Sequence, residues 1–291
     1  MSETAQFTSA DLDAYFRRIG WRGERHADAG TLRGVHLAHA HSLPFENLDP
    51  VRGTAPSLAP ADLVAKLVRS RRGGYCYEHN TLFAGALEAL GLGVTRLAAR
   101  VVVGAERFED RPRTHMALLV DVPGEPRPYL ADVGFGAPGA LLEPVPLTPD
   151  TEFHAAGRRH RLVHAPHRGP LELWVLETYG AEKEPGDGQG REPEQGAWQP
   201  QYAFTLEPFE RPDFEVINWH VATNPRSPFS HRPYAQRVTP ERHLLLNGAH
   251  LTETRADGTV TERELTAEAE ARRVLEEEFD IAVPEGTTLL S

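Results

Sequence analysis

The first third of the chain repeats apolar residues at three- and four-residue steps, the period of helices with one buried face. In SADLDAYFRRIG, residues 9–20, Leu12, Tyr15, Phe16 and Ile19 share one side; Ser9 can cap the start and Gly20 ends the run. TLRGVHLAHAHSL is a second predicted helix, stopped by Pro44. APADLVAKLVRS is a third, with Pro60 near its start and Leu63, Leu67 and Val68 in one stripe. CYEHNTLFAGALEALG is a fourth and ends at Gly91. Beyond it, VTRLAARVVVG, THMALLVDV, RPYLADVGFG, HRLVHAP and LELWVLETY are short β-branched or alternating runs between Gly/Pro turns, the pattern of antiparallel sheet or barrel. GAEKEPGDGQGREPEQGAWQP offers little apolar area to bury and predicts a mobile surface loop over about 181–197. From Gln201 the texture is mixed. FEVINWHVATNPRSPF starts as helix and ends in a Pro-rich turn. HLLLNGAHLTETRADGTVTEREL predicts two strands joined at the ADG turn, residues 256–258. AEAEARRVLEEEFDI is a helix with Val274, Leu275 and Phe279 inward. The order is helices, then strands, then a smaller α/β piece, with no repeat at a solenoid period.

Composition narrows the partners. The 291 residues include 42 acidic and 31 basic side chains, for a formal charge of −11, and no dense Lys/Arg run supplies the basic patch of a nucleic-acid binder. A single cysteine cannot form an intramolecular disulfide and suits a reducing compartment. MSETAQFTSADLDAYF shows no signal-peptide pattern, and no window reaches the ~20 apolar residues that span a bilayer. A soluble cytoplasmic protein without a membrane partner is expected, as monomer or homodimer.

That cysteine, Cys76, lies in RRGGYCYEHN at the predicted start of the fourth helix. A thiol attacks as the thiolate, and a helix N-terminus favours negative charge through its unpaired N–H groups and dipole. Gly73-Gly74 permits a tight turn with approachable amides, which could also hold a developing oxyanion. Such a nucleophile needs a histidine base and a group to orient it. His115 heads the apolar run THMALLV. If THMALLVDV and RPYLADV pair as a hairpin through the PGEP turn, centred near residue 123.5, Asp132 comes beside His115. A buried carboxylate there would fix the imidazole tautomer and stabilise the imidazolium. The expectation is a Cys76–His115–Asp132 triad with thiolate and imidazolium as a pre-formed ion pair. A lone cysteine also serves as a small buried hydrophobe, and residue chemistry alone leaves the two readings level.

RGGYCYEHN resembles the R-G-G-x-C-x-E-x-N signature of arylamine N-acetyltransferases. LPFENLD at 43–49, THMALLV at 114–120, LADVGFG at 130–136 and NPRSPF at 224–229 are similar to further blocks of that family, in family order. The resemblance runs from the first helix to the FDI near the C-terminus. It implies an α+β fold in three pieces around a cysteine-protease- or transglutaminase-like Cys-His-Asp core. These are a helical bundle carrying the nucleophile (1–92), a central antiparallel β-barrel carrying His115 and Asp132 (93–200), and a C-terminal α/β lid (201–291). It implies a ping-pong reaction with acetyl-CoA as co-substrate and no permanently bound cofactor. Acetyl would pass through Cys76 to the nitrogen of an arylamine, arylhydrazine or N-hydroxyarylamine. By the same resemblance Phe45, Tyr75 and Phe135 wall the acceptor cleft, and Gly134 and Gly136 lie where backbone passes close to CoA or acceptor. Arg72, Glu46 and Asn80 are implied to form a structural polar cluster, with an Arg72–Glu46 ion pair expected. Departures lie at Ala222 in VATNPRSPF and in the long polar stretch at 181–197, both toward the lid.

Three rival readings remain. The same scaffold could use another acyl thioester, as in an amide synthase that closes macrolactams on an aminobenzoate amine. A cysteine hydrolase or transglutaminase-like enzyme could share the triad, though it should lack PFEN and VGFG. A non-catalytic binding protein would have little reason to keep all three groups. No metal site is expected. His36 and His39 share a helical face but His41 does not, so surface or capping roles are expected for them. His160, His164 and His167 are expected to be solvated, and the EEEFD run at 276–280 to be a solvated helix face.

Overall fold

The computed structural model describes residues 7–180 and 196–290. Helix α1 (Ser9–Ile19) is capped by Thr8, whose hydroxyl accepts from the Asp11 N–H while the Thr8 N–H donates to Asp11, and it closes on Gly20 at φ 69°. Leu12, Tyr15, Phe16 and Ile19 face the core. Helix α2 (Ala29–Ser42) starts on Asp28. A two-residue strand β1 (Phe45–Glu46) and a single turn α3 (Leu48–Val51) follow. Helix α4 (Pro60–Leu63) continues as a π-turn over Val64–Val68, and α5 (Cys76–Ala89) begins at the cysteine itself.

The next strands are β2 (Gly93–Val101), β3 (Arg113–Asp121), β4 (Tyr129–Ala131), β5 (Val145–Pro146), β6 (Glu152–Ala155), β7 (Arg158–Ala165), β8 (Leu173–Gly180) and β9 (Ala197–Pro208). They form one antiparallel sheet in the order β5-β4-β3-β2-β9-β8-β7-β6. Pro149, just past β5, bridges Leu162 of β7, so the sheet curls into a nearly closed barrel. Its strands read as apolar on both faces because both are covered. Leu97, Ala99, Ala117, Leu130, Leu176 and Phe204 fill the inside, while Ala98, Met116, Leu118 and Val120 pack on the helices.

Two expectations change here. The division between residues 200 and 201 falls inside β9, which pairs with both β2 and β8, so the barrel runs on to Pro208. The polar stretch predicted as a loop over 181–197 lies outside the described residues up to 195, and Ala197 already opens β9.

After β9 come α6 (Arg211–Thr223), then β10 (Tyr234–Val238), β11 (Arg242–Asn247), β12 (His250–Arg255) and β13 (Val260–Glu264), and α7 (Glu268–Glu277). Three strands replace the two expected in HLLLN…EREL, because Gly248 at φ 62° turns the chain between β11 and β12 as well. These strands form a second sheet whose far edge is β1, contributed by PFEN. Phe45 pairs with Gln236 of β10 on one side and bridges Gly74 on the other. The PFEN segment is therefore inserted between the C-terminal sheet and the turn that carries Cys76.

Candidate active site

Cys76 is the first residue of α5, and its turn is held by contacts that only glycine allows. A Cβ on Gly73 would lie 1.9 Å from the Pro44 carbonyl oxygen, and one on Gly74 would lie 2.8 Å from Glu78 atoms. Neither glycine has a positive φ; close packing requires them. The Glu46 N–H donates to the Gly74 carbonyl at 2.8 Å, and the Tyr75 N–H to Glu78 at 3.1 Å. The N–H groups of Cys76 and Tyr77 open the helix without intrahelical partners.

β3 brings the histidine. Its pairing with β2 shifts by one residue between Ala99↔His115 and Arg100↔Arg113, leaving Thr114 as a bulge directly before His115. The Cys76 sulfur lies 3.9 Å from the Thr114 carbonyl. His115 Nε2 is 2.7 Å from Asp132 Oδ2, with both side chains buried. Since Nε2 serves the carboxylate, Nδ1 is the ring nitrogen left for the sulfur. The register differs from the expected one. β3 and β4 pair Leu118 with Ala131 and Val120 with Tyr129, which sets Asp132 beyond the strand end and diagonal to His115 rather than opposite it. The offset is two residues, so both side chains keep the same face of the sheet.

Charge in this cluster is tightly managed. Burial works against the His115 imidazolium, but the Asp132 charge and hydrogen bond outweigh it, with smaller contributions from Cys76, and raise its pKa to about 10. Burial likewise opposes the Asp132 carboxylate, yet His115, Asn80 and the Gly134 N–H hold it below its ordinary value. Asp132 Oδ1 accepts from Asn80 Nδ2 at 2.8 Å and from the Gly134 N–H at 2.9 Å. Asn80 also donates to the Met116 carbonyl at 2.7 Å and accepts from the Val133 N–H at 3.1 Å. The Asp132 N–H donates to His36 Nε2 at 3.1 Å, and His36 Nδ1 lies 2.9 Å from the Leu142 carbonyl. The Tyr202 ring stands 5.0 Å from that of His115, and its buried hydroxyl has no hydrogen-bond partner among the described residues.

A family model described as N-acetyltransferase matches residues 28–288. An arylamine N-acetyltransferase of Mycolicibacterium smegmatis is 40% identical over 253 residues, covering 86% of this chain and 84% of that one. The chain belongs to the arylamine N-acetyltransferase family. The Nocardia farcinica arylamine N-acetyltransferase superposes with a TM-score of 0.84 at 42% identity, over 97% of this chain and 94% of that one. The Mycobacterium marinum arylamine N-acetyltransferase, solved in complex with CoA, superposes with a TM-score of 0.80 at 34% identity, over 93% and 92%.

The other family-matched residues divide. Arg72 Nε lies 2.7 Å from Glu46 Oε1, but Asn80 is not in that cluster; one turn beyond Cys76 on α5, it faces Asp132. Asp49, Lys66 and Glu78 complete the Arg72–Glu46 group instead. Arg72 reaches Asp49 at 2.9 Å, and Lys66 lies 2.6 Å from both Asp49 and Glu78. Burial penalises the Lys66 ammonium, but Glu78, Glu46 and Asp49 more than offset that and raise its pKa. Phe45 and Phe135 come together at a cavity of about 40 Å³ that also touches Val133, Leu142, Gln236 and Val238. Phe135 meets the His115 ring edge-on at 5.2 Å. Tyr75 does not line that cavity. It is fully buried between Tyr77 and Phe229, and its hydroxyl donates to Asn218 of α6. Gly134 and Gly136 are needed for approaches within the protein: a Cβ would lie 2.8 Å from Cys76 Cα in one case and 2.7 Å from the Phe45 ring in the other.

The histidines depart furthest from expectation. His36, His39 and His160 are buried rather than at the surface. His39 bridges the Tyr15 hydroxyl and His79, both at 2.8 Å, so its two nitrogens are occupied, as are those of His36. Among the described residues no group of three or more His, Cys, Asp or Glu side chains could hold a metal ion. What sequence reasoning missed here, chiefly His36, Lys66, Tyr202 and Asn218, carried no local signal beyond a polar residue within an apolar period.

Proposed function

We propose that the chain is an acetyl-CoA-dependent arylamine N-acetyltransferase that works by a ping-pong route through an acetyl-Cys76 thioester. The observation that carries the reading is Cys76 at the head of α5 beside a histidine whose far nitrogen is held by Asp132 at 2.7 Å. The sulfur attacks the acetyl carbonyl carbon; the new S–C bond forms as the bond to the CoA sulfur breaks, and the departing thiolate takes the proton from His115 Nδ1. Developing negative charge on the carbonyl oxygen meets the unpaired N–H groups at the start of α5. In the second half the nitrogen of an arylamine, arylhydrazine or N-hydroxyarylamine attacks the thioester, His115 Nδ1 takes the proton, and the C–S bond breaks to release the amide. Asp132 keeps the imidazole oriented throughout, and Asn80 and His36 hold Asp132.

In this reading the helical piece supplies the nucleophile, the barrel supplies His115 and Asp132, and the piece after Pro208 covers them. Phe45 and Phe135 wall the acceptor side.

The test is intact-protein mass after brief mixing with acetyl-CoA, with no acceptor, beside Cys76→Ala. A gain of one acetyl group, lost on adding an aromatic amine and absent in the variant, is the expected result. A folded protein with a free thiol that gains nothing from acetyl-CoA would overturn it.

A further inference from the structure

A cavity of about 730 Å³ lies between the barrel and the C-terminal sheet, and a cation with no carboxylate partner among the described residues reaches into it. Arg158 follows the two-residue turn Ala156-Gly157, both at positive φ, which joins β6 to β7 and aims the side chain rigidly. Its guanidinium makes one hydrogen bond among the described residues, from Nη1 to the Ala140 carbonyl. No carboxylate of the described residues pairs with it. Its neighbours in the wall are already matched: Arg255 lies 3.1 Å from Glu253, and Arg242 lies 3.7 Å from Glu253 and 3.5 Å from Glu278. Glu262, at the rim, is exposed.

Burial alone pushes the Arg158 guanidinium down to about 10, with no anion to offset it. Burial first, and the Arg158 charge second, hold His243 in the same wall at about 4. The cavity thus has a half-buried positive charge, most of whose donors have no partner among the described residues, beside a neutral imidazole. It also leads to the chemistry. Leu142 and Val238 line both this cavity and the smaller one between Phe45 and Phe135, and Phe135 abuts His115.

We infer that Arg158 binds the phosphate-bearing end of the acyl donor, so that the donor's thioester arm runs past Leu142 and Val238 toward Phe45, Phe135 and Cys76. A guanidinium with a free planar fork suits phosphate oxygens, which it can take two at a time. The phosphates of CoA lie at the far end of a pantetheine arm from its sulfur, so a donor held at Arg158 can extend that arm along the wall the two cavities share at Leu142 and Val238. The inference rests on the acyltransferase reading above, and its test separates the two.

CoA and pantetheine, which shares the thiol arm but has no phosphates, are titrated calorimetrically into the wild-type chain, Arg158→Gln and Arg158→Lys. Acetylation of Cys76 by acetyl-CoA and by p-nitrophenyl acetate is followed in parallel by mass. The wild-type preference for CoA over pantetheine should fall about tenfold or more in Arg158→Gln, which is about 1.4 kcal/mol, and be partly kept in Arg158→Lys. The preference for acetyl-CoA over p-nitrophenyl acetate should fall by a similar factor. If both ligands and both donors weaken equally, Arg158 merely supports the Ala140 loop and the inference is wrong. It is equally wrong if CoA binding is unchanged. Should CoA bind through Arg158 while neither donor acetylates Cys76, the inference stands and the reaction assigned above fails.

Discussion

Asn80 offers the sharpest test of how the site is wired. It is fully buried and makes three hydrogen bonds, to Asp132 Oδ1, the Met116 carbonyl and the Val133 N–H. The bond to the carboxylate counts about 1.5–3 kcal/mol and each neutral one about 0.5–1.5. Water entering the space vacated in Asn80→Ala would recover part, so a loss of about 2–4 kcal/mol is expected. The alternative wiring, with Asn80 in the Arg72–Glu46 cluster, would give a loss of similar size, so stability alone cannot choose. Double-mutant cycles can. Urea unfolding at pH 7 of Asn80→Ala, Asp132→Asn and the pair should yield a coupling of about 1.5–3 kcal/mol. The cycle of Asn80→Ala with Arg72→Gln should couple by less than about 0.5 kcal/mol, since the two share no partner. A large coupling to Arg72 with none to Asp132 would refute the assignment of Asn80 to the His115–Asp132 network.

Two further outcomes follow from the same geometry. With ¹³C-labelled histidine, the His115 ring should titrate near pH 10 in the wild-type chain, because the adjacent carboxylate outweighs burial. In Asp132→Asn that support is gone, so the titration should move down. The raised folded-state pKa also contributes stability that is fully present below about 6.5 and lost as pH rises toward 10. The wild type should therefore weaken more steeply than Asp132→Asn across that window, and a His115 signal titrating near 6.5 in the wild type would contradict the argument. Gly134→Ala should cost about 1–3 kcal/mol, since its Cβ would press on Cys76 backbone. It should also change the rate at which iodoacetamide alkylates the single thiol. Gly136→Ala should cost a similar amount, because its Cβ would press on a buried Phe45 ring already packed against His79, Phe229 and Tyr234. Urea midpoints and alkylation rates that leave Gly134→Ala indistinguishable from wild type would overturn the close-approach explanation.

How much of this was legible beforehand varies with the range of the interaction. The helices were, because Leu12, Tyr15, Phe16 and Ile19 advertise their shared face within two turns. The meeting of His115 and Asp132 was too, since a single turn joins their strands. The place of Asn80 was not. Its side chain is paired by a strand and a loop that sequence distance hides, and the family resemblance, which grouped it with Arg72 and Glu46, named other neighbours. Burial of His36 and His39 was hidden for a related reason: a histidine reads as polar until the carbonyl, hydroxyl or second imidazole that satisfies it is in view. The strand formed by PFEN, too short to show a period, exists only because β10 and Gly74 lie on either side of it.

The β3–β4 register shows why an inaccurate pairing could still bring His115 and Asp132 together. The turn was centred one residue early, which shifted the pairing by two positions along the strand. Side chains in a strand alternate faces with period two, so an even slip moves a residue along its own face and an odd slip sends it to the other side of the sheet. His115 and Asp132 therefore stayed on one face, and a diagonal pair is within reach of an imidazole and a carboxylate. The bulge at Thr114 works on the opposite principle: one extra residue changes which way the chain beyond it faces. Arg113 and His115 bracket that bulge, and only by absorbing Thr114 can β3 keep Arg113 paired with Arg100 while His115 turns toward Cys76. The geometry around His115 thus depends on an irregularity that no alternation pattern announces, next to a register that alternation alone makes forgiving.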